Sequence, residues 1–200
     1  NQDVFLAAGL LFLCSGVFGP AAVAAVGLLV VAALICGTAL LGSARSEAPA
    51  SPLAVRLSLG LAIATTILTL LSPLRVNFPL VHLALLALLA APMLRGAVRA
   101  RLGADVLGLM RPAAQPAMGT FIWRMIVVAL LAFFTLHAAL PERYHDALAV
   151  HLYVASYVAS HGEWAYDPSL FVFAVIPLAA DFLYAHVYLF AGEPAVKLLN

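Results

Sequence analysis

The chain has 200 residues, of which 65% are hydrophobic and only 10% are charged, and its mean hydropathy is +1.08. A soluble domain is about half apolar and roughly a quarter charged, and a fold of this length has too little interior to bury so much apolar surface. The composition therefore excludes a water-soluble globular domain and a disordered chain, and it predicts an all-α polytopic membrane protein. A formal net charge of +1 gives no reason to expect a nucleic-acid partner.

Apolar runs separated by turn-forming residues predict about six transmembrane helices, because a helix needs about 20 apolar residues to cross the hydrocarbon core. In the first run, Gly19 and Pro20 predict a tight turn, since proline lacks an amide hydrogen and biases the preceding residue away from helix. Ser72-Pro73 is expected to end the third helix, and Pro79 to open or kink the fourth. The first four predicted helices cover residues 4–18, 21–42, 53–72 and 77–95.

The rest of the chain alternates apolar spans with two polar connections. Residues 95–117 are basic, with a short interfacial helix expected at 104–110. The fifth and sixth predicted spans are 118–140 and 169–191, and they flank the most polar stretch, 141–168. We therefore divide the chain into a four-helix membrane region at 1–94, a basic loop at 95–117 and a membrane segment at 118–200. Both ends look like cuts in a longer sequence, and the sequence leaves open whether the chain is a fragment.

Basic residues set the predicted orientation, because positively charged connections stay on the cytoplasmic side of a membrane. With six spans, eight of the ten Lys and Arg residues fall on one side, and two, Arg75 and Arg143, fall on the other. The loop 95–117 and both termini are then cytoplasmic, and the loop 141–168 faces outward. We expect a multi-pass protein of the plasma membrane, which is the inner membrane if the cell is bacterial.

The outward loop holds most of the acidic and histidine residues. Residues 144–160 are predicted to form an outer-face amphipathic helix, with Asp146, Val150, Tyr153 and Tyr157 on one of its faces. A carboxylate followed by a stripe of aromatic rings suits a sugar or lipid-phosphate site, in which the carboxylate takes a proton and the rings stack on the sugar. The spacing alone favours the alternative, a helix that lies on the membrane with its tyrosines at the headgroup level.

The histidines do not predict a metal site. His145, His151 and His161 lack the i, i+4 spacing of a helical zinc site. Ordinary hydrogen-bonding histidines are therefore favoured over a divalent metal centre, and no cofactor is expected. His82 and His137 are predicted at the same outer depth, which is compatible with a bis-histidine haem site, but no other residue supports that site.

Asp181 is the one acidic residue well inside a predicted span. An ionisable group at that depth is costly and is a candidate functional residue for that reason. The alternative is a structural role, in which Asp181 pairs with Arg124 or with a hydroxyl group in the helix bundle. The sequence leaves the two interpretations about equal.

Four motifs occur in order in the last third of the chain. Residues 144–152 read Tyr-His-Asp-Ala-Leu-Ala-Val-His-Leu, 161–164 read His-Gly-Glu-Trp, 181–184 read Asp-Phe-Leu-Tyr, and 191–199 read Ala-Gly-Glu-Pro-Ala-Val-Lys-Leu-Leu. With these motifs, residues 118–200 resemble the start of the lipid-linked-sugar glycosyltransferases of the GT-C fold, such as protein mannosyltransferases and lipid A aminoarabinose transferases. The family's Ser-Asn-Phe-Pro element is replaced by Ala174-Val175-Ile176-Pro177, in which only the proline is kept.

The resemblance implies an activity and a set of site residues. It implies that Asp146 is the outer-loop acid that acts as catalytic base, and that Asp181 is a supporting acid. The candidates for substrate binding are Arg143, whose chemistry suits a phosphate, His145, His151, Tyr153, Tyr157 and Asp181. The implied partners are a lipid-linked sugar donor and membrane lipids. The first hypothesis is a membrane glycosyltransferase, or its N-terminal part, that moves a sugar from a polyprenyl phosphate to an outer-face acceptor. The second is a non-catalytic integral subunit of a larger membrane complex.

Overall fold

The computed structural model describes residues 2–42, 52–110, 118–138, 140, 151–165, 169 and 179–200. Within these ranges the chain is all-helical and has no strand, so the all-α part of the predicted fold class is confirmed there. The helices are α1 (Gln2–Phe18), α2 (Pro20–Gly42), α3 (Leu53–Leu71), α4 (Pro79–Ala90), a 3-10 turn (Ala91–Leu94), α5 (Gly96–Met110), α6 (Met118–Ala138), α7 (Leu152–His161) and α8 (Ala179–Leu199).

Three helices among the described residues are long and apolar enough to cross a membrane. They are Pro20–Leu41, Leu53–Leu71 and Phe121–Ala138. A fourth candidate is the pair Pro79–Leu94 and Gly96–Gly108, which is bent by 92° at its break. Residues Phe5–Phe18 form a shorter apolar helix. These spans agree with a membrane protein, but they do not confirm the predicted six crossings.

The first two helices meet at the turn that the sequence predicts. Gly19 has a left-handed backbone (φ 85°), a conformation that glycine adopts without the steric cost that a Cβ atom imposes. Its N–H group still donates to the carbonyl oxygen of Ser15 over 3.0 Å, and α2 begins directly at Pro20. Because proline at the first position of a helix has no N–H group to leave unpaired, α2 starts without a lost hydrogen bond.

Helix α2 is the centre of the bundle and packs against α3, α4 and α8. Its contact with α3 is made by backbone, because Gly37 and Gly60 face the opposite helix. A Cβ atom on Gly60 would lie 1.8 Å from the carbonyl oxygen of Ala33, and one on Gly37 would lie 1.8 Å from that of Arg56. Small residues let membrane helices approach this closely. Neither Gly37 nor Gly60 has another glycine within four residues, so no glycine motif in the sequence predicts the contact.

The buried core is apolar and lies between these helices. Large side chains with almost no exposure come from four helices, and they are Leu29, Leu68, Val154, Val158 and Val187. In contrast, no residue of the candidate span Phe121–Ala138 in α6 is buried. The described part of the protein therefore leaves a long apolar helix face open to lipid or to another membrane helix.

The predicted fourth span is shorter and more bent than the sequence suggests. It was expected to be one helix at 77–95, but α4 ends at Ala90 and a 3-10 turn through Pro92 follows. Helix α5 then leaves at 92° to α4 and covers Gly96–Met110, whereas the sequence predicts only a short helix at 104–110. Pro92 cannot donate the hydrogen bond that would continue α4, which accounts for the break.

The chain reverses inside α8, at Gly192. The backbone at Gly192 is non-helical (φ 65°, ψ −156°), and the Tyr184 hydroxyl donates to Oδ1 of Asn200 over 2.7 Å although the two residues are 16 apart in sequence. In a straight helix their backbones would be about 24 Å apart. The segment after Gly192 must therefore run back along the segment before it.

This reversal corrects the predicted topology. The Lys197 ammonium group donates to the carbonyl oxygen of Leu140 over 3.0 Å, whereas six spans would put these residues on opposite sides of the membrane. A hydrocarbon core is about 30 Å thick, so Lys197 cannot lie across the membrane from Leu140, and that part of the prediction is wrong.

Candidate functional site at one end of the bundle

The connection between α3 and α4 is tied to the end of α7 by Asn77. The backbone N–H group and the side-chain Nδ2 of Asn77 donate to the carbonyl oxygen of Gly162, over 2.9 and 3.0 Å. The same Nδ2 lies 3.0 to 3.3 Å from three carbonyl oxygens at the end of α3, those of Leu71, Ser72 and Leu74. Asn77 is 2% exposed, so these contacts hold the two segments together at one end of the bundle.

Helix α7 ends at Gly162 because the chain needs a left-handed residue there. Gly162 has φ 76° and its N–H group donates to the carbonyl oxygen of Val158 over 2.8 Å, which is a common way to end a helix. A Cβ atom at this position would also lie 2.8 Å from the ring of Phe78. Two residues later, the N–H group of Trp164 donates to the carbonyl oxygen of Ser72 over 2.6 Å, which adds a second link to α3.

His151 and Asp181 form a hydrogen-bonded pair that the sequence did not predict. Nδ1–H of His151 donates to Oδ1 of Asp181 over 2.6 Å; the Asp181 side chain is 2% exposed and that of His151 is 50% exposed. Asp181 lies near the beginning of the described part of α8. The sequence suggested Arg124 or a hydroxyl as its structural partner, deep in a span. The structure instead pairs Asp181 with His151.

This pair presents a proton acceptor at the bundle end. A carboxylate that accepts from Nδ1–H fixes the imidazole in one tautomer, with the lone pair on Nε2. The ring of Tyr184 lies edge-on to the His151 ring, with 6.3 Å between ring centres, and so helps to hold its orientation. Because His151 is half exposed, it can take a proton from a group that approaches from outside the bundle.

The two tyrosines of the predicted stripe lie next to each other on α7, and they differ in solvent exposure. The ring centres of Tyr153 and Tyr157 are 6.3 Å apart on α7, and Tyr153 is 41% exposed. His161 stacks on Tyr157 with 4.0 Å between ring centres, and Trp164 lies edge-on to it at 5.9 Å. The Tyr157 hydroxyl donates to the carbonyl oxygen of Ala165 over 2.9 Å. Tyr153 is thus the more exposed of the two tyrosines, and one face of Tyr157 is covered by His161.

Three predicted site residues, Arg143, His145 and Asp146, lie outside the described residues, so their roles stay predictions. Where the structure does describe the chain, no group of three or more His, Cys, Asp or Glu side chains is arranged to hold a metal ion. Comparison of the chain with protein-family models, with curated proteins and with solved structures gives no match. The resemblance over residues 118–200 rests on the motifs quoted above.

A second buried polar cluster joins α4 to α8. His82 and His186 are 1% and 0% exposed, and their Nδ1 atoms are 2.9 Å apart. Their ring centres are 5.0 Å apart with 23° between the planes, so the two nitrogens lie between the ring centres and the rings meet edge to edge. The haem pair of His82 with His137 is therefore wrong, because His82 pairs with His186 while His137 lies against Phe133.

The hydrogen bonds assign one tautomer to each neutral ring. The amide nitrogen of Asn77 is turned towards carbonyl oxygens, so its Oδ1 accepts from Nε2–H of His82 over 3.3 Å. Nδ1 of a neutral His82 then accepts from Nδ1–H of His186. This leaves Nε2 of His186 buried and without a hydrogen-bond partner among the described residues. Both histidines were visible in apolar runs, but no sequence signal pairs residues that are 104 apart.

Proposed function

We propose that the chain is an integral membrane glycosyltransferase, or the N-terminal part of one, that moves a sugar from a polyprenyl-phosphate donor to an acceptor on the outer face. The observation that carries this proposal is the His151–Asp181 pair, a buried carboxylate holding a half-exposed imidazole at one bundle end. Its histidine comes five residues after Asp146, the acid that the resemblance implies is the base. Beside that base, the reaction needs polar groups that bind and orient the hydroxyl groups of the substrates, and an imidazole held by a buried carboxylate suits this role.

The proposed reaction assigns a role to each group. The acceptor hydroxyl attacks the anomeric carbon, the bond from that carbon to the phosphate oxygen breaks, and the polyprenyl phosphate leaves with the electron pair. Asp146 takes the hydroxyl proton as general base, and Arg143 contacts the phosphate as its negative charge develops. His151, oriented by Asp181, lies on the same segment and binds the substrate hydroxyl groups. His145 completes the polar lining, and Tyr153 stacks on the sugar.

The membrane topology that we propose has five crossings. They are α1, α2, α3, α4 with its 3-10 turn, and α6, while α8 turns back at Gly192 on the outer side. This count replaces the predicted six because it puts Lys197 and Leu140 on one side, as their hydrogen bond requires. Seven of the ten basic residues then lie on the cytoplasmic side, which keeps the positive-inside asymmetry. The membrane is the plasma membrane, or the inner membrane of a bacterium.

The proposal is tested by transfer of labelled sugar from a panel of polyprenyl-phosphate sugars in membranes that contain the full chain. We expect Asp146→Asn to lower the transfer rate by about 10²-fold or more, because a general base contributes about 10² to 10⁴. His151→Gln and Asp181→Asn are expected to lower it less. Glu163→Gln, an acid of the same loop outside the site, is the matched control and should keep wild-type transfer.

Unchanged transfer by Asp146→Asn, with normal membrane insertion, would contradict the proposed mechanism. A second candidate function is favoured by α6, whose apolar span is not covered by the described part of the protein. That function is a non-catalytic integral subunit that packs against other membrane subunits. It predicts that the chain purifies in mild detergent with further membrane proteins and that the Asp146→Asn variant leaves the activity of that assembly unchanged.

A further inference from the structure

Helix α5 lies across one end of the bundle and begins with a group of arginines. It follows the 92° bend after α4, so it runs at about a right angle to that helix. Between Leu94 and Met110 the sequence contains Arg95, Arg99 and Arg101 and a single acid, Asp105. Arg95 and Arg99 are exposed, and Arg101 is half-buried. The start of α5 is therefore positively charged, with Arg95 and Arg99 four residues apart on one face and Arg101 on the face that carries Asp105.

The one acid of α5 does not neutralise this surface, because it is held by another helix. Arg56 of α3 donates from Nη1 to Oδ2 of Asp105 over 2.7 Å, and the Arg56 side chain is 3% exposed. The same Nη1 lies 3.5 Å from the Thr38 hydroxyl of α2. This buried ion pair anchors the middle of α5 to α2 and α3, and it fixes the direction in which the helix leaves the bundle.

The free side of α5 is apolar as well as basic. Leu94, Val106 and Leu107 are 81%, 54% and 63% exposed. Arg99 donates from Nη1 to the carbonyl oxygens of Met93 and Leu94, over 3.4 and 3.3 Å, so its guanidinium group is held at the bend. Exposed leucine and valine beside arginine are typical of a helix in the membrane interface, where the apolar groups enter the acyl region and the cations meet phosphates.

We propose that α5 is a binding surface for anionic phospholipids, and that Arg95, Arg99 and Arg101 contact the phosphate groups of their headgroups. Guanidinium groups pair with phosphate in a planar, two-point geometry. A polybasic segment gains about 1 kcal/mol, or about fivefold in affinity, for each Lys or Arg near an anionic membrane surface. Three arginines give a preference of about 100-fold for an anionic over a zwitterionic lipid. The Arg56–Asp105 pair sets the direction in which α5 leaves the bundle, with Arg95 and Arg99 exposed and Arg101 half-buried.

The test uses the full chain in mixed micelles with equal amounts of phosphatidylglycerol and phosphatidylcholine, and native mass spectrometry measures which lipid stays bound. We expect the wild type to prefer phosphatidylglycerol over phosphatidylcholine by about 100-fold. The triple variant Arg95→Gln/Arg99→Gln/Arg101→Gln should lose this preference. Arg75→Gln, an exposed arginine in the α3–α4 connection at the other end of the bundle, is the matched control and should keep it.

Three further measurements keep the test decisive. If the triple variant does not fold, Arg95→Gln/Arg101→Gln leaves the hydrogen bonds of Arg99 in place and should lower the preference about 25-fold. High salt should weaken the preference, because it screens exposed charges. Millimolar inorganic phosphate should leave it unchanged, because the proposed ligand is a lipid in the interface. The proposal is overturned if the wild type shows no preference for phosphatidylglycerol or if the triple variant keeps that preference. It is also overturned if Arg75→Gln loses the preference equally or if free phosphate displaces the lipid.

Discussion

Replacing Gly60 by alanine should show whether α2 and α3 are in backbone contact. The added Cβ atom would lie 1.8 Å from the carbonyl oxygen of Ala33 and 2.4 Å from its carbonyl carbon. Ordinary van der Waals contact begins at 3.4 Å, so the two backbones must separate by about 1.5 Å. The neighbouring contact of Gly37 with the backbone of Arg56 is then opened as well.

The expected cost follows from two opposing effects. Overpacking a tight core costs about 1–3 kcal/mol, and a clash with backbone belongs at the upper end because no side chain can rotate away. Alanine in a helix is better than glycine by about 0.5–1 kcal/mol. We therefore expect Gly60→Ala to lower the free energy of unfolding by about 2 kcal/mol. The effect should not add to that of Gly37→Ala, since either substitution separates the same two helices.

The free energy of unfolding can be measured by titrating the protein in mild detergent with sodium dodecyl sulfate. Gly27→Ala is the matched control, because Gly27 also lies in α2 and a Cβ atom there meets nothing within 4 Å. It should be neutral or stabilise the protein by about 0.5–1 kcal/mol through helix propensity. If Gly60→Ala is as stable as Gly27→Ala, the close approach of α2 and α3 is wrong.

Three further predictions concern the buried polar groups. Asp105→Leu should destabilise the protein by about 3–5 kcal/mol because it leaves the charge of Arg56 unpaired. In the same titration, Arg56→Met/Asp105→Leu should recover most of that loss. A double variant as unstable as Asp105→Leu would contradict the pairing. Nitrogen-15 NMR of ring-labelled protein should show His82 as the Nε2–H tautomer and His186 as the Nδ1–H tautomer, and the reverse pattern would refute the assignment. Asn77→Ala should lower the free energy of unfolding by about 1–3 kcal/mol, since several buried carbonyl oxygens lose their donor. An unchanged free energy of unfolding would mean that water solvates those carbonyl oxygens.

Part of the candidate site could be found from the sequence. The sequence singled out His151, Tyr153 and Tyr157 because the acidic and histidine residues gather in the outer loop and the two tyrosines share a helix face. Asp181 was recognised from its apolar surroundings. The partner of Asp181 could not be predicted, since His151 is 30 residues away and hydrogen bonds between helices leave no periodic signal.

The sequence by itself predicted the helical class, the long apolar spans and the turn at Gly19, because each depends on composition or on a few adjacent residues. The structure agrees with these predictions, since the described residues are all-helical and a helix ends just before Pro20. Pro92 is a local sequence signal for the break of α4 as well, but that break was not predicted. These properties are local, since proline, glycine and a long apolar run act on the backbone where they occur.

Only the tertiary structure decided which helices touch and where the chain turns back. The contacts of Gly60 with Ala33, of His82 with His186 and of Lys197 with Leu140 join residues that are far apart in sequence. Apolar runs of similar composition can pack in many arrangements with nearly equal burial. The arrangement is selected by close backbone approach and by the need of each buried polar group for a partner, and both depend on positions in space.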